Sequence, residues 1–388
     1  MRVLVLNTDY SPFLDRLYGD APKLAERSYA DQMAARNASL FGVFDSYSRH
    51  LTAAGCEAWE IHANNEPMQK RWATEAGLDY GGPVLFQSQL SKRIAKLPIL
   101  GRKFRRRPSR EPWFLDILKS QIAHYHPDVI LNQDVYQISG YFLRRQMGEK
   151  GLVVGQLASH LPTSADWGGY DLMISSLPNL VEYFSNQGLA AEFCPLGFDS
   201  AVYAYATPAI ERDIPVLFVG SLTSQHQTRI ELLEYLCRHI DIEIRGASLS
   251  ALEPGSPVRN CVKGEAWGVE MYRLLGRAAI ALNQHIDMAG PYANNCRLFE
   301  ATGMGAMLLT DRKSNLDYYF KPGIEVADFG SPQECLERIR YFQDNLGERQ
   351  RIAEAGRNRV LASHGYAQRM NDLAALFGRY LTEKRRAL

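Results

Sequence analysis

The sequence predicts an α/β protein built from two tandem doubly wound, Rossmann-like domains that face a central cleft. Three observations carry that reading. Short apolar runs of strand length alternate with longer amphipathic stretches, as strand–helix units on parallel sheets require. The alternation runs twice, over the first half of the chain and again from Ile214 onward. At 388 residues, 46% of them hydrophobic, the chain is too long for one typical domain and suffices for two ordinary cores.

The elements follow in order. Val3–Leu6 opens the chain as a buried strand. A helical pattern over Ala38–Ala54, closed by Gly55, leads into a strand at Ala58–Ile61. A second helix, Trp113–His124, is stopped by His126-Pro127-Asp128 before the strand Val129–Leu131. Strands Leu152–Val154 and Leu172–Ser175 complete the first series. Past a linker at Asp199–Asp213, the strand Pro215–Val219 meets Gly220. Next come helix Gln227–His239, strand Ile242–Ile244, helix Gly268–Arg277 and strand Ala278–Asn283. Helix Asn295–Thr302, strand Ala306–Thr310 and a helical region beyond Pro332 close the chain. Domains are expected at residues 1–198 and 214–365, with residues 366–388 a helix turned back toward the first domain.

Composition narrows the function classes. A formal net charge of +1 gives no global argument for nucleic acid. Arg105-Arg106-Arg107 comes with neither a stacking-aromatic module nor zinc-ligand spacing. The six cysteines are scattered without a CxxC pair, which reads as reduced thiols in a cytosolic protein and not as a metal site. No stretch approaches the roughly 20 apolar residues that span a bilayer, and no signal segment precedes the first strand. The expected location is the cytoplasm, or peripherally the inner face of a membrane. Residues 92–110 hold nine basic residues and no acidic one. Such a segment suits an anionic membrane surface, at about 1 kcal/mol per basic residue, a phosphorylated acceptor, or a solvated loop.

Open parallel sheets bind ligands beyond the carboxyl ends of their strands, where helix N-termini offer free amides. Two places in the second half have that form. Phe218-Val219-Gly220-Ser221 runs from strand into a hydroxyl-rich turn, with Arg229 near the start of the next helix. Gly220 and Ser221 allow close backbone approach to a phosphate, although Gly-Ser after a strand is also a common tight turn. Gly290-Pro291-Tyr292-Ala293-Asn294-Asn295 leads into a helix that Asn294 or Asn295 can cap. Arg297 and Glu300, three residues apart, share a face of that helix. The carboxylate suits both hydroxyls of a ribose and the guanidinium suits phosphate; the plainer alternative is a surface ion pair worth a few tenths of a kcal/mol.

The segment Arg297 to Asp311 resembles the donor-site segment of GT-B glycosyltransferases, and more narrowly the group-1 branch related to the spore-maturation protein CgeB. Similar to the same branch are Phe218–Ser221 with the helix near Arg229, and Gly264–Tyr272 followed by Ala281–His285. So is the ending from Ile352 through His364-Gly365-Tyr366 and Arg369. The match spans about Pro215–Leu376; in the first half it rests on Tyr170–Ser176 and Pro195–Asp199. The resemblance implies a sugar transferase whose donor is a nucleotide-diphosphate sugar, UDP- or GDP-linked, with no cofactor and no catalytic metal. By position it implies Glu300 at the donor ribose, and Gly220, Ser221 and Arg297, with Arg229, around the diphosphate. Lys263 and Trp267 fall near the base. His285 and the Gly290–Asn294 loop, ahead of Asn295, approach the donor sugar. Many retaining members carry two glutamates with seven residues between them; here Glu300 holds the second position and Tyr292 the first.

An inverting enzyme also needs a general base in the first domain. The candidates are His160, after a predicted strand, then Asp134, then Asp15 in the loop after the first strand, with Asp9, Tyr10 and Tyr18 lining the acceptor side. The acceptor is a glycan, a lipid-linked glycan or a small molecule. Competing readings on one fold are a nucleotide-sugar epimerase and a non-catalytic carbohydrate-binding or coat protein.

Overall fold

The computed structural model describes residues 1–78, 113–162, 166–209, 211–246 and 249–388. The basic segment 92–110 lies outside the described residues. Two all-parallel sheets stand in tandem. The first comprises β1 (Arg2–Asn7), β2 (Glu57–His62), β3 (Val129–Asn132), β4 (Leu152–Gln156), β5 (Leu172–Ser175) and β6 (Ala191–Phe193), in the order β2-β1-β3-β4-β5-β6. The second comprises β7 (Ile214–Val219), β8 (Glu243–Arg245), β9 (Ala278–Asn283), β10 (Met307–Asp311) and β11 (Ala327–Phe329), in the order β11-β10-β9-β7-β8. The inner strands β3, β5 and β9 are buried along their whole length, as parallel strands covered by helices on both faces must be.

Each sheet reverses its winding at one point, between β1 and β3 in the first and between β7 and β9 in the second. These are the two crevices where a doubly wound sheet admits a ligand. The sequence pattern misses β6 and β11, three residues each, at the outer edges of the two sheets.

The largest departure from the sequence reading is at Ala38–Ala54. Two helices, Tyr29–Ala38 and Ser46–Ala53, replace the single one, and residues 39–45 form a loop between them. Leu40 and Phe44 take left-handed backbone angles there, φ 56° and 36°, around Gly42 at 63°. Their side chains are buried not in their own domain but in the core of the second, against residues such as Tyr272, Phe299 and Leu274. Apolar residues that mimic a helical stripe thus serve another sheet. Burying each stabilises by about 1.5–3 kcal/mol, enough to offset about 1–3 kcal/mol of backbone strain.

The closing helix, Tyr366–Ala387, crosses back over the first domain. Tyr366, Met370, Leu373, Phe377 and Leu381 pack on Val3, Val5, Leu131 and Ile174. Arg385 pairs with Asp128 at 2.6 Å, and Lys384 with Asp171. The linker and the return segment run side by side: Phe198 N donates to His364 O at 2.8 Å, and Tyr366 N to Phe198 O at 3.0 Å. No helix among the described residues is long and apolar enough to cross a membrane.

Candidate functional site

The switch point of the second sheet opens into a cleft of about 370 Å³. Of the residues singled out in the sequence, Gly220, Ser221, Arg229, Trp267, Asn295, Arg297 and Glu300 line it together. Gly220 and Ser221 follow β7, and Gln284 and His285 follow β9. Arg229, on the helix Gln227–Cys237, straddles the two. It donates to Ser221 O at 2.8 Å and to Gln284 O at 2.7 Å, lies against the Phe218 ring at 5.6 Å, and leaves Nε without a partner. Arg229 is 8% exposed and has no ion pair among the described residues. Burial pulls its pKa down to about 10, with Arg297 adding to the effect against Asp311 and Asp287, so it stays charged at neutral pH. A buried cation held only by neutral carbonyls is an incomplete arrangement that an anion completes.

Opposite stands the helix Arg297–Gly303. Asn295 caps it, its Oδ1 accepting from Leu298 N at 3.0 Å while its amide donates to Asn283 Oδ1 at 2.8 Å. Asn294 makes no such bond and lies off the cleft lining. Arg297 donates to Glu300 Oε2 at 2.7 Å and to Val219 O at 3.2 Å, and Tyr272 donates to Glu300 Oε1 at 3.2 Å. The pair is no surface bridge: Glu300 is only 9% exposed. Its carboxylate is held in one orientation at the wall of the cleft, with lone pairs left to accept from hydroxyls.

His285 sits behind the lining. Its backbone N and Nδ1 meet Asp311 Oδ1 at 3.0 and 2.6 Å, and Asp311 pairs with Lys313 at 3.1 Å. Burial raises Asp311, but His285 and Lys313 outweigh it and hold the carboxyl at about 2. The bond to Asp311 leaves Nε2 of His285 buried and unpartnered. Gly290 lies beyond the cleft lining at φ 57°, ψ −123°, a conformation for glycine alone, and its carbonyl accepts from Lys313 at 2.8 Å. Lys263 is turned out of the cleft: it pairs with Glu243 at 3.2 Å and its side chain is 59% exposed. Arg245, two residues from Glu243, takes the place in the lining that the sequence assigned to Lys263.

The first-domain candidates fare differently. His160 is exposed after β4, and the Tyr136 hydroxyl donates to its carbonyl. It is near enough to the second domain to act on His226: burial, then Arg229, and in smaller part His160 push His226 down to about 4. Asp134 is held in a hydrogen-bond network. It accepts from Thr8 Oγ1 at 2.5 Å, from the Tyr136 and Gln137 amides at 3.0 Å each, and from Gln137 Nε2 at 2.8 Å, stitching the loops after β1 and β3 together. Asp15 lies on the exposed face of the helix Ser11–Asp20, not in a loop. Asp9 is buried in an ion pair with Arg36 at 2.8 Å, and the Tyr18 hydroxyl is buried between Gln32 and Asn65. Tyr10 alone of those three is exposed.

Sequence reasoning missed the contribution of Phe41, Gly42 and Val43, which line the same cleft from the first domain. The signal was present in Gly42, a glycine inside an otherwise helical run.

Residues 229–375 match the family described as glycosyl transferase-like. No curated protein matches the sequence. Among solved structures, the chain is similar to a glycosyltransferase from Rickettsia africae ESF-5, at 11% identity and TM-score 0.57 over 98% of each chain. It is similar to Anabaena Alr3699/HepE in complex with UDP, at 11% identity and TM-score 0.58 over 98% of this chain and 100% of that one. It is also similar to sucrose-phosphate synthase from Thermosynechococcus elongatus, at 12% identity and TM-score 0.57 over 99% and 100%. The chain therefore has the GT-B glycosyltransferase fold, and its residues 229–375 match the model of a glycosyl transferase-like family.

Proposed function

We propose that the protein transfers a sugar from a nucleoside diphosphate sugar to a hydroxyl acceptor held against the first domain. The observation that carries this is Arg229, a buried guanidinium at the switch point that donates to two carbonyls and forms no ion pair among the described residues. A diphosphate supplies an ion-pair partner. It lies over Gly220 and Ser221, and Glu300 accepts from the ribose. Arg297, tied to Glu300, faces both. As the bond from sugar to diphosphate breaks, negative charge builds on the departing oxygen. Arg229, already fixed at the switch point by two carbonyls, meets that charge without reorganisation. In this reading two guanidiniums provide the charge, and the reaction needs no metal.

The donor sugar extends toward His285 and the Gly290–Asn294 loop. Support for a uracil-linked donor comes from Anabaena Alr3699/HepE, which was solved with UDP and with UDP-glucose. His160, exposed after β4, is the first-domain group we assign to take the acceptor proton. We assign the acceptor to the class of glycans, lipid-linked glycans or small polar molecules, with residues 92–110 a contact for an anionic membrane on the cytoplasmic face. The direct experiment is thermal unfolding with UDP-, GDP-, dTDP- and ADP-linked sugars. A donor at a hundred times its Kd adds about 2.7 kcal/mol of stability. No shift with any of them contradicts the reading.

A further inference from the structure

The loop at residues 39–45 is fastened at both ends to the second domain. Ser39 O accepts from Val269 N at 3.1 Å, and a Cβ on Gly268 would stand 1.9 Å from that oxygen, so only glycine permits the approach. Leu40 and Phe44 are buried in the second core. Between these anchors Phe41, Gly42 and Val43 face the cleft. The Phe41 ring stacks on Phe13 at 4.1 Å and 5°, and meets the edge of Trp267 at 5.7 Å. Trp267 also packs edge-on to Tyr10 at 6.0 Å and lies beneath Arg16 at 6.0 Å.

The groups that share the cleft with this loop say what it touches. Arg229 and Gly220 belong to the diphosphate in the reading above. Gly42 and Val43 share a smaller recess with Glu300 and Tyr272, the ribose position in that reading. Phe41, next to Gly42, lines the cleft together with Trp267 and Glu265. We propose that this first-domain loop is a wall of the nucleoside half of the donor site, and that Phe41 makes the site select pyrimidine over purine nucleotides. The inference rests on the donor reading above. Its physical basis is rigidity: a wall anchored in a packed core at both ends, with its ring stacked on Phe13, does not recede to admit the second ring of a purine. It also makes the donor site composite, so that a bound nucleotide bridges both domains.

The test measures the affinities of UDP, dTDP, GDP and ADP for the full chain by titration calorimetry, in the wild type and in Phe41→Ala, Phe41→Leu and Phe41→Tyr. The expected wild type favours UDP and dTDP. Phe41→Ala narrows that preference about tenfold, the scale on which an apolar pocket discriminates by size, and Phe41→Tyr restores it. Phe41→Leu keeps apolar volume without the aromatic face and gives an intermediate ratio, which serves if the alanine variant does not fold. A uniform loss for all four nucleotides, or an unchanged ratio, overturns the selection role and leaves the donor reading standing. A wild type that prefers purines overturns it as well. A wild type that binds none of the four removes the donor reading itself and this inference with it.

Discussion

The two switch points of this molecule are built from the same parts and finished in opposite ways. At the first, between β1 and β3, the buried carboxylates have close partners, although Asn7 Nδ2 and Asp9 Oδ2 stay buried without a hydrogen bond. Thr8 donates to Asp134 across the gap, and below it Asp9 is held by Arg36 at 2.8 Å and by His62 at 3.1 Å. At the second, between β7 and β9, Arg229 spans the gap with no carboxylate partner among the described residues. One edge is closed by internal neutralisation; the other is left with a net positive charge facing a cavity. Fold alone gives both crevices the same claim to a ligand. Charge accounting separates them.

The contrast makes its largest prediction at the first edge. Arg36→Met leaves the Asp9 carboxylate buried without its cation, and breaking such a pair costs about 3–5 kcal/mol of stability. Asp9 is normally held far below the usual carboxylate range, its burial being outweighed by His62 and Arg36. Urea unfolding checks this, and a variant as stable as the wild type breaks the claim that this edge is self-neutralised.

A smaller effect is expected at the second edge. Glu300→Gln keeps shape but loses charge, and weakens nucleoside diphosphate binding by about 1.5–3 kcal/mol, the worth of a charged hydrogen bond. Calorimetry with UDP and 2′-deoxy-UDP sharpens the point, because the deoxy ligand loses less. Equal losses for both remove Glu300 from the ribose.

A third expectation is a pH slope. Burial raises Glu60, against the Ser48 amide and Arg36, from 4.5 to about 7. A carboxyl with a raised pKa binds its proton more tightly folded than unfolded. Its stabilisation is full below about 4.5 and is lost as pH rises through about 7. Glu60→Gln therefore gains stability relative to the wild type over that window. A constant difference across it shows that Glu60 titrates normally.

The same contrast explains what was legible in the sequence. The second domain reads well because its site is local: Gly220 ends a strand, Asn295 caps a helix, and Arg297 and Glu300 are one turn apart. Arg229 and Trp267 stand close to those motifs in the chain. Lys263 misled because a residue's side depends on its strand neighbours, and Glu243, twenty residues away, draws it outward. The first domain reads as strands and helices but not as a site. Asp9, His62 and Glu60 meet through the pairing of β1 with β2, Arg36 reaches them from the helix Tyr29–Ala38, and no spacing in the sequence announces that. Asp134 looked free for chemistry because a loop carboxylate gives no sign of the three residues it fastens. Leu40 and Phe44 followed a helical period for reasons that lie in the other domain.

The measurement that tests the central claim most directly is UDP affinity across a salt series for the wild type and Arg229→Met. The wild type should bind, with affinity that falls as salt rises. Arg229→Met should remain folded and lose about 1.5–3 kcal/mol of binding, along with part of the salt dependence. Equal affinity in the two proteins would show that the uncompensated charge at the second switch point does not hold a diphosphate.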